Sequence, residues 1–417
     1  MDLVLVTGGT RGDVDPFVAL GIGLRAAGYG VSVATNEDFR EVVTSRGLEF
    51  RPLSGNFRAI IGSPEGREWI ESGSSAGRYR KAATKVFSSW WARWMADMDA
   101  ACREGERVLF HPIWCGAQYV AEKRAVPSVC ISPIPILPTG HLPPLFAPGA
   151  PAWPWLRRWL WNQGQEVVGG MLLETFQEYR RSVGLAPLPG PRVGDYMVAQ
   201  GVPLVHVFSR VLTDRPPDWP ERTHVTGSCQ LPRDPRWAPP RELEAFLAAG
   251  PPPVYVGFGS MTGRDPAELT ALVVDAVTRA GVRAVVGTGW GGIDGQAFPP
   301  HVHRVDDVPH DWLFPRVAAV VHHGGIGTTT AGLRAGKATL VVPFFADQPY
   351  WGQRVEELGV GPAALPKNKL TAARLAERIG RLLAEPRYAE AARRVQASLL
   401  AEDGVARAVE VIGRYLS

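Results

Sequence analysis

Short apolar runs rich in Val, Leu and Ile alternate along this chain with longer stretches in which apolar residues recur every three or four positions. The first kind fits strands buried on both faces; the second fits helices packed on one face. In the first half the pattern predicts strands at Leu3–Val6, Val31–Ala34, Arg107–Phe110, Ser128–Ile131 and Leu204–Phe208. Helices are predicted between them at Pro16–Ala27, Arg78–Ala101, Gly116–Lys123 and Trp155–Val183. The pattern restarts at Val254–Phe258, with further strands at Arg283–Val286, Val317–Val321 and Ala338–Val342. Its helices fall near Pro266–Ala280, Thr328–Ala335 and Tyr350–Leu358. Such alternation is the signature of βαβ units on a parallel sheet, which predicts an α/β protein with two Rossmann-like domains.

Proline interrupts the series at Pro232, Pro235, Pro239, Pro240 and Pro251–Pro253. A segment so rich in proline cannot continue a sheet or a helix. Domains are therefore expected at residues 1–228 and 254–400, with a linker at 229–253 and a tail at 401–417 that is helical over Ala401–Tyr415. Two open sheets facing across a cleft bind ligands outside the carboxyl ends of their strands, so the chemistry is expected just after strands.

The first predicted strand runs into TGGTRGDVDP. Gly8, Gly9 and Gly12 allow a tight turn, Asp15 fits a helix N-cap, and Pro16 fits the first helical position. Asp13 is then left on the loop, either sharing the cap or serving as a general base toward a hydroxyl. After Val254–Phe258, Gly257 and Gly259 permit close backbone approach, and Ser260 suits either a phosphate or an ordinary serine turn. The richest segment is VVHHGGIGTTTAGLRAG. Gly324, Gly325 and Gly327 let N–H groups point at an anion, and a helix starting near Thr328 turns its positive end to the same place. With His323 and Thr328 as side-chain donors, this is a diphosphate cradle. A metal reading of His322-His323 is disfavoured because strand neighbours point to opposite sides; a buried, satisfied pair is the alternative. In VVPFFADQPYWGQR, Asp347 and Gln348 can grip sugar hydroxyls, or Asp347 only caps the helix that Pro349 begins.

Composition removes other classes. A net charge of +4 with scattered Lys and Arg gives no basic face for nucleic acid. Cys102, Cys115, Cys130 and Cys229 lack CxxC or zinc spacing, which fits a reducing cytoplasm. The start MDLVLVTGG has no basic leader, and no apolar stretch reaches the roughly 18 residues of a membrane span. Fourteen tryptophans stand out, crowded at Trp90, Trp91 and Trp94 and at Trp153, Trp155, Trp159 and Trp161. Trp155 and Trp159 share a helix face. Core packing, an aromatic acceptor pocket together with Trp90, or a peripheral membrane face beside Arg157 and Arg158 are the three readings.

Together these segments resemble the nucleotide-sugar-dependent glycosyltransferases of the GT-B fold, in the UDP-glycosyltransferase superfamily (family GT1). TRGDVDPFVALGIGL, DDVPHDWLFPRVAAVVHHGGIGT and PFFADQPYWGQRVEELGVG are most similar to sterol glucosyltransferases and to bacterial enzymes that decorate natural products. The resemblance implies an acceptor-binding first domain, a nucleotide-sugar-binding second domain, and a tail helix packed back on the first. It implies Asp13 as the acceptor-activating base, and Ser260, His323, Gly325, Gly327 and Thr328 as diphosphate ligands. Trp290, Val308 and His310 are implied at the nucleobase, Asp347 and Gln348 at the sugar. Eight residues beyond His323, where plant relatives carry a ribose-binding Glu, stands Ala331, which leaves UDP and TDP both open. The expected reaction is inverting transfer from such a donor to a hydroxyl of a sterol, polyketide or other apolar small molecule, with no metal or other cofactor.

Three other readings compete with this one. Asp13–Asp15 imitates the DxD metal motif of GT-A transferases, but it precedes a helix-initiating proline and lies in the opposite half from the cradle. TGGTRG with Tyr119 and Lys123 imitates an NAD(P)-dependent reductase, but Val14 stands where that turn needs Gly. A non-catalytic, nucleotide-sugar-binding accessory protein would share the fold, yet Asp13, His323, Asp347 and Gln348 are all present.

Overall fold

A computed structural model of the protein describes residues 1–72, 76–259, 266–287 and 298–416. Its contacts divide into two units. One comprises Met1–Pro144, Gly149–Leu231 and Glu402–Ser417; the other comprises Leu145–Pro148 and Pro232–Ala401.

The first unit holds strands β1 (Asp2–Val6), β2 (Gly30–Asn36), β3 (Glu49–Leu53), β4 (Arg107–Phe110), β5 (Ser128–Ser132), β6 (Leu204–His206) and β7 (Thr223–Val225). They form one sheet in the order β3-β2-β1-β4-β5-β6-β7, parallel throughout. Leu3, Val4, Leu5 and Val6 are fully buried, as a central strand covered on both faces requires. The second unit holds β8 (Val254–Gly257), β9 (Ala284–Gly287), β10 (Val302–Val305), β11 (Ala319–His322) and β12 (Ala338–Val341), in the parallel order β10-β9-β8-β11-β12. Its core lies on both faces. Val254, Val256, Val321 and Leu340 pack with Leu375 and Ile379 on one side. Tyr255, Val285 and Val320 pack with Trp312 and Phe314 on the other.

The expected two α/β halves are present. Three strands went unforeseen: β3, β7 and β10. Each is an edge strand with part of its surface exposed, so none reads as a continuous apolar run. The single helix expected over Trp155–Val183 is two, Pro154–Gly170 and Leu173–Ser182. They part where Gly169 passes close to the backbone of Pro191, a fit that excludes any side chain. The proline-rich stretch also contains a helix, Arg241–Ala248, framed by Pro240 and Pro251 and anchored by the fully buried Leu243. The tail helix spans Gly404–Gly413 and packs on helix Arg11–Ala26 and beside β6 in the first unit.

Candidate functional site

In each sheet the chain order reverses at one place, between β1 and β4 in the first unit and between β8 and β11 in the second. Loops leaving the carboxyl ends of such a pair diverge, which opens the ligand crevice of an α/β sheet. Asp13 follows β1, and His323, Gly325, Gly327 and Thr328 follow β11.

In the first unit β1 leads into Gly8 and Gly9, and a Cβ on Gly9 (φ +130°) would meet Asp13 Oδ2 at 2.5 Å. The helix then begins at Arg11, earlier than the expected Pro16. Asp13 is therefore not on a loop without capping duty. It sits in the first helical turn, where Oδ2 accepts from Thr10 N at 2.8 Å and from the Thr10 hydroxyl at 3.0 Å. Asp15 is not the cap but lies inside the helix, paired with Arg11 at 3.2 Å, and Pro16 follows within the helix. The capping box overrides the proline signal because Thr10 and Asp13 have the spacing that satisfies a helix N-terminus. The Asp13 side chain keeps 24% of its surface in solvent.

Next to β1, β4 ends at Phe110, which pairs with Val6, and the next residue is His111. His111 is buried, and its Nδ1 accepts from Ile113 N at 3.2 Å. Its Nε2 stands 3.6 Å from Asp13 Oδ1 and has no hydrogen-bond partner. Burial pulls the imidazole pKa down, and the Asp13 charge opposes this. Sequence reasoning missed His111, although it directly follows a predicted strand, where chemistry was expected.

In the second unit three strand ends converge. The helix after β11 spans Ile326–Arg334, two residues ahead of expectation, with Gly325 as an N-cap that has no side chain to bond the first N–H groups. His323 fills the space above this turn. A Cβ on Gly259, at the end of β8, would meet His323 Cε1 at 3.1 Å, and one on Gly325 would meet Nε2 at 2.6 Å. Burial holds the His323 pKa down at about 4, with the Gly257 carbonyl opposing, so the ring is neutral near pH 7. His322 is fully buried; its Nδ1 accepts from Gly324 N at 2.9 Å and shapes the turn, while Nε2 is buried without a partner. Gly324 (φ +97°) admits no side chain, since a Cβ would meet Gln348 O at 3.0 Å. That contact joins the cradle to the loop after β12. There Ala346 adopts φ +57°, a left-handed conformation costly for a residue with a Cβ. Gln348 holds that loop through Oε1, which accepts from Phe344 N at 2.8 Å and Phe345 N at 3.2 Å. Asp347 occupies the helix N-cap position without making the cap bond; its Oδ2 accepts from Trp351 Nε1 at 2.6 Å. Ser260 and Trp290 lie outside the described residues.

Residues 3–98 match the glycosyltransferase family 28 N-terminal domain, and residues 274–414 match the erythromycin biosynthesis protein CIII-like C-terminal domain. Two sterol 3-beta-glucosyltransferases of Arabidopsis thaliana are 34% and 33% identical over the whole chain, which covers 66% and 68% of their lengths. A sterol 3-beta-glucosyltransferase of Cryptococcus neoformans is 31% identical, and the chain spans 27% of it. The chain belongs to the UDP-glycosyltransferase superfamily, family GT1. Among solved structures, the glycotransferase of kitacinnamycin superposes with a TM-score of 0.70 at 20% identity, covering 100% of this chain and 99% of that one. The glycosyltransferase VinC, in complex with DTDP, gives 0.67 at 21% identity, covering 100% and 99%. The fold shared with these structures is GT-B.

His310 opens a one-turn helix, and its ring stacks on Phe314 at 4.2 Å and meets the edge of Tyr255 at 5.9 Å. Val308 and Ala331 pack against the same apolar cluster. Trp91 and Trp94 are core residues, and Trp90 stacks on Trp94 at 5.9 Å. Trp155 and Trp159 are not core: they are 69% and 53% exposed, with Trp153 stacked against Trp155. Among the described residues no three His, Cys, Asp or Glu side chains gather as a metal site, and no helix is long and apolar enough to cross a membrane. The four cysteines are free and buried, with the thiols of Cys102, Cys115 and Cys229 pushed up to about 12 by burial.

Proposed function

We propose that this protein transfers a sugar from a UDP- or TDP-linked donor to a hydroxyl of an apolar small molecule, a sterol, polyketide or other natural product, with inversion at the anomeric carbon. The observation that carries the reading is the cradle at Gly325: an uncapped helix N-terminus, a neutral imidazole above it, and the Asp347–Gln348 loop against it. Uncapped N–H groups and the helix dipole favour a diphosphate, and a neutral His323 can donate one N–H. As the bond to the leaving group breaks, charge grows on the diphosphate, and donors already aimed there stabilise it without reorganising. Ser260 and Thr328 add hydroxyls, and Gly327 adds backbone.

Asp13 is the base. It takes the acceptor proton as the acceptor oxygen attacks the anomeric carbon from the face opposite the diphosphate, and a single displacement inverts that carbon. Asp347 and Gln348 hold sugar hydroxyls. The resemblance assigns Val308, His310 and Trp290 to the nucleobase, and Ala331 stands where plant relatives carry a ribose-binding Glu, so either UDP or TDP fits the reading. No metal or other cofactor takes part, because the fixed donors carry the charge.

Trp90 contributes to the acceptor site. The exposed Trp153, Trp155 and Trp159 form a face that contacts a membrane surface and draws lipid-like acceptors from it. Buried free cysteines fit a cytoplasmic location. The sterol 3-beta-glucosyltransferases among the relatives support the apolar acceptor. The test is mass spectrometry of transfer reactions across UDP- and TDP-sugars and a panel of sterols and polyketide alcohols. A donor that is neither consumed nor bound would refute the reading.

A further inference from the structure

We propose that His322 is a positioning residue for the diphosphate: its ring fixes the N–H of Gly324 and so sets where the first N–H groups of the next helix point. The inference rests on the diphosphate lying at Gly325, the reading proposed above.

β11 ends at His322, whose carbonyl accepts from Val342 N at 2.8 Å, just past the end of β12. Three residues later Gly325 is already a helix N-cap. One side chain closes the turn between them: Gly324 N donates to His322 Nδ1 at 2.9 Å. This is the arrangement of an Asx turn, in which a side chain accepts from the N–H two residues on, with an imidazole nitrogen in place of the amide oxygen. Gly324 is also confined by the next strand, since a Cβ there would meet Val341 Cγ1 at 2.6 Å. Its N–H, expected from the sequence among the donors to the anion, is therefore used on the turn. Thr329 N donates to Gly325 O at 3.0 Å, the opening bond of the helix. The N–H groups of Gly325, Ile326, Gly327 and Thr328 precede it, and these are the donors that the turn aims.

The other ring nitrogen shows why a histidine at this place needs a reason. Burial, with His323 and His310 adding to it, holds the imidazole pKa well below its ordinary value, so the ring is neutral. With Nδ1 bare, a neutral ring carries its hydrogen on Nε2. Nε2 is buried and has no hydrogen-bond partner. An apolar side chain would occupy the same core position without that unsatisfied donor, which is a standing cost to the fold. What the imidazole adds is the acceptor at Nδ1, and that acceptor holds the turn into the cradle. The ring of His323 leaves the strand end on the other side, against Gly259 and Gly325. His323 thus faces the anion, and His322 holds the backbone that meets it.

Calorimetry on full-length variants, with whichever of UDP or TDP the wild type binds, tests this. His322→Leu fills the core without offering an acceptor, and should weaken the diphosphate about tenfold or more, the worth of one charge-assisted bond. Inhibition of transfer by uridine or thymidine, which carries no phosphate, should hardly change, and neither should KM for the acceptor. His322→Asn places Oδ1 where Nδ1 stands and should recover most of the affinity; His322→Gln, one carbon longer, should not. An equal loss for nucleotide and nucleoside would mark a general loosening and overturn the proposal. If His322→Leu does not fold, the Asn and Gln pair decides, and equal affinity in those two overturns the proposal. In protein labelled with ¹⁵N-histidine, the His322 signals, assigned by their loss in His322→Asn, should show a bare Nδ1 and a protonated Nε2; the opposite tautomer overturns it. If neither His323→Ala nor Gly325→Ala weakens the nucleotide, the cradle reading falls and this inference with it. If both do and His322→Leu does not, this inference alone falls.

Discussion

The imidazole of His323 occupies the space into which a side chain at Gly325 would project, with Nε2 2.6 Å from the position a Cβ would take. The same ring lies 3.1 Å from the corresponding position at Gly259, so two glycines on different loops are kept bare by one histidine. Gly325→Ala should therefore turn the ring away and cover the first N–H groups of the helix. Calorimetry with UDP or TDP should show affinity lowered by about tenfold or more, from the loss of one charge-assisted bond. Unchanged affinity would mean that the diphosphate does not sit there.

His323→Ala removes the donor without disturbing the glycines. A hydrogen bond to a charged group contributes about 1.5–3 kcal/mol, so nucleotide affinity should fall by one to two orders of magnitude. The loss should be the same at pH 6 and pH 8, because the ring titrates only near 4. A loss that grows as pH falls toward 6 would show that the charged imidazole is what binds.

Asp13→Asn should lower turnover by about 10²–10⁴-fold on an unactivated alcohol, the usual contribution of a general base. The amide oxygen can still accept from Thr10 N, so the helix start should survive and melting should change little. Asp13→Ala loses the cap as well, and should cost about 1 kcal/mol of stability in addition to the activity. A phenol is a poor acceptor for this test because it ionises without help.

Buried histidines make the fold acid-sensitive. Burial holds His206, stacked on Trp219, at about 3 and His323 at about 4, both below the ordinary 6.5. Each binds its proton in the unfolded chain first, so its contribution to stability is complete above about pH 6.5 and is lost as pH falls toward the folded value. The slope is up to about 1.4 kcal/mol per pH unit for each such group. His206→Phe keeps an aromatic ring against Trp219 and should flatten the fall in melting temperature below pH 6.5. An identical slope in the variant would place the acid sensitivity elsewhere.

On the proposed reading, in which Gly325, Gly327 and His323 meet the charge on the leaving group, activity should survive exhaustive EDTA treatment. Loss restored by Mg²⁺ or Mn²⁺ would transfer that role to a metal.

The turn after β11 was legible because local structure demands its glycines: Gly324 adopts φ +97°, and a Cβ on Gly325 would meet His323 Nε2. Interior strands such as β1 and β11 were legible as apolar runs; edge strands such as β3 and β10 were not, because exposure mixes polar residues into them. Asp13 was recognisable as a residue but not in its setting. Thr10, three positions earlier, completes a capping box, yet Asp-Val-Asp-Pro imitates a helix start just as well. His111 lay beyond local reasoning, since only the pairing of β1 with β4 brings it to Asp13 across nearly a hundred residues.

The tail helix Gly404–Gly413 tests how far the proposed base, Asp13, depends on its support. It packs on helix Arg11–Ala26, whose first turn carries Asp13. Asp403 caps it by accepting from Ala406 N at 2.9 Å, and Ala408, Val411 and Ile412 are buried beneath it. Gly23 leaves room for Val405, and a Cβ on Gly23 would collide with that side chain. Gly23→Val should therefore push the two helices apart, at a cost of about 1–3 kcal/mol for overpacking, while leaving the residues around Gly325 untouched. Ending the chain at Asp403 is the stronger version, because it uncovers apolar surface along the first unit. Both variants should bind UDP or TDP with normal affinity and lose transfer, the truncation more completely. Melting must be followed alongside, so that lost transfer is scored only at temperatures where both units remain folded. A folded truncation that transfers sugar at the full rate would show that Asp13 is held in place without the tail.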